Sequence, residues 1–124
     1  MNVDNIVPIL NVSDMEASFQ WFEKLGFIRG FDWRDEPDKP VTFGAVLGGK
    51  FEIFLSKDSQ GGRGNDGMWM SVFVDDVDAA YEACTREGIE VTMPPEDKPW
   101  GVREMHVRHP DGHTLRVGTG TEAE

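Results

Sequence analysis

The chain alternates between short runs in which every second residue is apolar and two longer segments with apolar residues at helical spacing. Residues 5–12 (NIVPILNV) predict a first strand, and Pro8, unable to donate a ladder hydrogen bond, puts it at an edge or across a subunit boundary. Ser13-Asp14-Met15-Glu16 is a capping-box pattern; Met15, Phe19 and Phe22 then recur at helical spacing until Gly26 stops the helix. A second strand over residues 27–33 is followed by a polar loop with two prolines, 34–40. Residues 41–47 and 51–55 predict a hairpin about Gly48-Gly49-Lys50.

Residues 57–67 (KDSQGGRGNDG) contain four glycines and no large apolar side chain, which predicts a flexible linker. The pattern then restarts. A strand over 68–74 leads to a helix capped by Asp75 or Asp76, with Val77, Tyr81 and Cys84 on one face and Gly88 at its end. Residues 89–93 are short and extended, and 100–108 and 113–117 form a hairpin about the turn His109-Pro110-Asp111-Gly112. Residues 120–124 read as a frayed tail.

The two halves align without gaps at an offset of 62: Asp14 with Asp76, Met15 with Val77, Phe19 with Tyr81, Gly26 with Gly88, Ile53 with Leu115, Leu55 with Val117. The chain thus reads as one α+β domain over residues 1–124. Two βαβββ repeats, about 5–57 and 68–119, are joined by a linker at 58–67. The expected architecture is a curved, cup-shaped mixed sheet with helices on its outer face. Residues two apart on a strand share a face. Val7, Ile9, Asn11, Trp69, Ser71, Phe73, Thr114 and Arg116 should therefore face the cavity, while Ile6, Leu10, Val72, Leu115 and Val117 pack under the helices.

Composition narrows the function. Twelve basic against 23 acidic residues give a net charge of −11, which disfavours nucleic acid and anionic membranes and permits a cationic ligand. A single cysteine excludes an intramolecular disulfide and makes a cytoplasmic location the default; no apolar run is long enough for a membrane span or shaped as a signal peptide. His106, His109 and His113 have the look of a metal cluster, but the hairpin separates them, and they read as surface histidines. Cys84 lies on the buried stripe of its helix, a core residue without a placed base. Trp33 and Trp100 border polar or turn-forming sequence, which favours exposure. Trp21, off its helix's apolar stripe, covers either a subunit interface or a loop. No nucleophile motif and no phosphate-binding glycine loop is present.

The doubled unit with P-W-G and H-P-D-G-H near its end resembles the vicinal oxygen chelate superfamily, which includes glyoxalase I, extradiol dioxygenases, fosfomycin-modifying enzymes and bleomycin resistance proteins. The stretches IVPILNVSDMEASFQWFEKLGFIRGF and KPWGVREMHVRHPDG are most similar to the bleomycin resistance proteins. The superfamily's enzymes bind a metal at positions that fall here on Val7, Trp69 and Arg116, with a further place at Phe54; none of these side chains is a ligand for a divalent cation. The resemblance implies no metal and no cofactor. It also implies a groove between two subunits that exchange their first strands, in which Phe31, Trp69 and Trp100 with Asp32 and Glu104 hold a large cationic antibiotic. With the cavity-facing pattern, the expected ligand-binding set is Phe31, Asp32, Trp33, Phe43, Trp69, Ser71, Phe73, Trp100, Glu104 and Arg116, with no catalytic residue.

The reading is a metal-free homodimer that sequesters an aromatic, cationic small molecule and engages neither nucleic acid nor membrane. One alternative is a superfamily enzyme, a lyase or isomerase acting on a small metabolite, using mis-registered metal ligands or Arg116 or His106 to polarise a carbonyl. The other is a structural or regulatory dimer whose cup is filled by its own side chains.

Overall fold

The computed structural model describes residues 1–120 and divides at Arg63/Gly64 into two compact units. Each repeat builds its own four-stranded mixed sheet, so the fold is α+β as expected.

In the first unit the order is β1 (Ile9–Val12), α1 (Met15–Lys24), β2 (Ile28–Trp33), β3 (Phe43–Gly48) and β4 (Phe51–Lys57), with sheet order β1-β4-β3-β2. β1 is an edge strand parallel to β4, in register Leu10 opposite Leu55. It is shorter than the sequence suggested. Pro8 offers only its carbonyl, which accepts from Phe54 N–H at 2.9 Å, and the ladder begins after it. Ile6, expected under the helix, precedes the strand and is 83% exposed. Asp14 caps α1, its Oδ1 accepting from Ala17 N–H at 3.0 Å, and the Glu16 carboxylate pairs with Arg29. Met15, Phe19 and Phe22 pack onto a core that includes Leu10, Val12, Val46, Ile53 and Leu55. Trp21 is buried too, its ring edge-on to Phe22 at 4.9 Å.

In the second unit a single 3-10 turn (Gly64–Asp66) precedes β5 (Trp69–Phe73), α2 (Val77–Arg86), β6 (Glu90–Lys98), β7 (Val102–Arg108) and β8 (Thr114–Gly120). The sheet order, β5-β8-β7-β6, repeats that of the first unit, with Val72 opposite Val117 where Leu10 faces Leu55. Asp76 caps α2 through Ala79 N–H at 3.1 Å. Gly26 and Gly88 end the two helices at φ +94° and +72°, a conformation glycine adopts without strain. Val77, Cys84, Ile89, Met105, Val107, Leu115 and Val117 form the core. β6 extends well beyond residue 93, so Trp100 lies in the β6–β7 turn rather than on a strand. Gly120 still pairs, opposite Val102; the rest of the anticipated tail, 121–124, lies outside the described residues.

The stretch 57–67 holds the division between the two units and carries hydrogen bonds within each. Asn11 binds Ser59 and Gly61 through three hydrogen bonds, and Gly64 N–H donates to Asp111 C=O at 2.7 Å. His109 and His113 are not surface residues; both are 1% exposed. Their imidazoles act as internal acceptors: His113 Nδ1 takes Met68 N–H at 3.0 Å, and His109 Nδ1 takes Asp111 N–H at 2.9 Å. Turn and loop backbones touch so closely that a Cβ on Gly112 would lie 2.4 Å from Gly64 O. A buried imidazole satisfies donors that a short glycine-rich crossing leaves over.

Candidate functional sites on the two sheet faces

Helix α2 covers one face of the second sheet and leaves the other open. Strand alternation puts Trp69, Ser71 and Phe73 of β5, Thr114 and Arg116 of β8, and Glu104 and His106 of β7 on that open face, with Ser71 and His106 both opposite Arg116. Its centre is a saturated carboxylate. Glu104, 2% exposed, accepts from Arg116 Nε at 3.0 Å and Nη2 at 2.9 Å, from Trp100 Nε1 at 3.0 Å and from His106 Nε2 at 2.8 Å. Gly118 makes room for it, since a Cβ there would stand 2.7 Å from Val102 Cγ1 and 3.4 Å from Glu104 Cβ. The Arg116 guanidinium, ahead of burial acting in the opposite sense and of the His106 and Trp100 hydrogen bonds, holds the Glu104 carboxyl at about 2. Glu104 is therefore an ionised, acceptor-only group, and His106 donates to it from Nε2.

Trp69 stands beside this cluster. Arg116 Cζ lies 5.7 Å from its ring centroid and the His106 ring packs edge-on at 5.8 Å. Trp69, Phe73 and Trp100 are largely exposed.

The open face of the first sheet is different in kind. Phe31, Phe43 and Phe54 pack ring against ring, with centroids 5.3–5.9 Å apart. Beside them is a cavity of about 580 Å³ lined by Phe31, Trp33, Thr42, Phe43, Ser56 and Lys57. By strand register Phe43 and Phe54 hold the places that Glu104 and Arg116 hold in the second unit: Ala45 pairs with Phe54 as His106 pairs with Arg116. One repeat thus presents an aromatic patch, the other a neutralised ion pair beside a tryptophan.

Of the expected ligand-binding residues, Phe31, Trp33 and Phe43 come together on the first face. Trp69, Ser71, Phe73, Glu104 and Arg116 share the second, joined by Trp100 from the turn. Asp32 does not share their face; it pairs with Gly44 on the helix side, where a Cβ at Gly44 would meet Phe19. Glu104 is enclosed by its donors and acts by fixing Arg116, His106 and Trp100. Sequence reasoning missed Thr42, Ser56 and Lys57 at the cavity, and it named His106 with Arg116 only in the enzyme alternative, outside the ligand-binding set. His106 was legible, since it lies two residues after Glu104 on one strand.

The donor chemistry at Val7, Phe54, Trp69 and Arg116 does not fit a divalent cation, and the nearby carboxylate is committed to Arg116. Among the described residues no three His, Cys, Asp or Glu side chains are grouped to hold one.

The sequence profile described as Glyoxalase/Bleomycin resistance protein/Dioxygenase superfamily matches residues 3–117. A crystal structure of a member of that superfamily from Sphaerobacter thermophilus is 28% identical, with 91% of this chain and 94% of that one covered and a TM-score of 0.74. TioX from Micromonospora sp. ML1 is 21% identical over 95% and 99% of the two chains, with a TM-score of 0.79. The bleomycin resistance determinant encoded on transposon Tn5 is 22% identical over 97% and 100%, with a TM-score of 0.72. At these last two identities the likeness is one of fold. No curated protein sequence matches the chain.

Proposed function

The chain belongs to the glyoxalase/bleomycin resistance protein/dioxygenase superfamily, and from that premise we propose that it sequesters a planar, aromatic, cationic small molecule of the bleomycin type. The observation that carries this reading is the pair of open sheet faces furnished with exposed aromatic rings: Phe31, Trp33 and Phe43 around a cavity on one, Trp69, Phe73 and Trp100 on the other. Exposed indole and phenyl faces stack on planar rings and attract cations, and the net charge of −11 favours a cationic guest over an anionic one. Sequestration requires affinity without transition-state complementarity, which suits faces where the enclosed carboxylate, Glu104, is neutralised by Arg116. In this proposal the working unit is a homodimer, in which a second copy covers part of the apolar surface.

The test is a tryptophan-fluorescence titration of the purified protein with bleomycin and a panel of aromatic cationic antibiotics. Saturable quenching that weakens in Trp33→Ala and in Trp69→Ala supports the reading. A flat response across the panel contradicts it.

A further inference from the structure

Resting on the binding role proposed above, we infer that the open face of the second unit selects a planar ring bearing a hydrogen-bond acceptor at its edge. The acceptor, a carbonyl or carboxylate, is taken by Arg116 Nη1 while the ring stacks on Trp69. The guest's cationic part lies away from this ring.

Arg116 has three nitrogens. Nε and Nη2 donate side-on to the two oxygens of Glu104, and Nη1 has no hydrogen-bond partner among the described residues. The side chain is 30% exposed, and in this proposal the remaining donor is the part that meets a ligand. The fork on Glu104 fixes the guanidinium plane, and a donor that is already immobile loses little entropy when it binds. Glu104 is held in turn by Trp100 and His106.

Ring and donor are adjacent. Trp69 is 64% exposed and its centroid is 5.7 Å from Arg116 Cζ, so a bicyclic ring with its acceptor one bond from the edge spans both. An ammonium group at that edge meets the Arg116 charge, and the neighbouring carboxylate has no capacity left for it. The equivalent place in the first unit is Phe54, so this selection belongs to the second face alone.

The test uses three bicyclic probes in high salt, which screens the net charge: 2-naphthoate, N,N-dimethyl-2-naphthamide and 2-naphthylmethylammonium. Calorimetry gives affinities, and ¹⁵N NMR follows the Trp69 indole and Arg116 side-chain signals. The two acceptor-bearing probes should bind about tenfold more tightly than the ammonium, the worth of one charge-assisted hydrogen bond. They should shift both signals. Arg116→Lys, which leaves Glu104 a cationic partner but lacks the fork, should erase that preference. Trp69→Ala should weaken all three probes, and because Trp69 projects outward it should leave the fold intact. Equal binding of the three probes, or tightest binding of the ammonium, overturns the inference and leaves the sequestration reading standing. Binding of bleomycin but of none of the probes overturns it alone. Failure of both overturns both.

Discussion

Glu104 and His109 show how single side chains set the behaviour of the second unit. Glu104 is held at about 2 against an ordinary 4.5, so it contributes stability above the ordinary value that is lost as the pH falls from 4.5 towards 2. Thermal melts across this range should show a fall that Glu104→Gln flattens. His109 is a separate case. Burial first, then the neighbouring His113, lowers it from 6.5 to about 4, while Asp111 opposes this. Its unfolded form takes up a proton before its folded form does. Stability should therefore be full above pH 6.5 and decline towards pH 4, by on the order of 3 kcal/mol in all. Urea denaturation at several pH values should locate this loss, and His109→Gln should remove its slope while lowering stability at neutral pH.

At the scale of elements, each half is built by the same devices: an aspartate N-cap, a glycine in positive φ after the helix, and an edge strand parallel to the last strand. Asp14→Ala and Asp76→Ala should each cost about 1 kcal/mol in chemical denaturation, the usual worth of such a cap. Gly44→Ala should cost more, about 1–3 kcal/mol, because the new Cβ would stand 2.7 Å from Phe19 Cζ and 2.9 Å from Phe31 O. The caps and the terminating glycines were legible in the sequence because they are local: a cap needs one side chain and its own backbone, and the offset of 62 repeats it. Alternation along β5 and β8 likewise suffices to place Trp69, Ser71 and Arg116 on one face. What stayed hidden depends on contacts distant in sequence. His109 and His113 are buried because the loop before β5 closes over their turn, and nothing in the turn's own sequence announces that partner. Trp21 is buried by packing that helical periodicity leaves out, and Asp32, expected from the family resemblance, pairs with Gly44 on the face opposite Phe31 and Trp33.

At the scale of the whole molecule, two features meet: a strongly acidic surface and two sheet faces carrying exposed aromatic rings. No helix among the described residues is long and apolar enough to cross a membrane, so these rings are not explained by a helical span. If a second copy covers part of them, sedimentation equilibrium should give twice the 13.9 kDa of one chain; a monomer at all concentrations would remove the dimer from the account. A cationic guest should bind more weakly as salt rises, since the net charge that draws it in is screened over about 10 Å at 0.1 M. The central claim is that the guest is held and released unchanged. Equilibrium dialysis against bleomycin, with mass spectrometry of both compartments, tests it most directly. The account predicts saturable retention, with all of the compound recovered intact after the protein is denatured. Retention followed by a product of altered mass would make this chain an enzyme, and no retention would remove the antibiotic from its function.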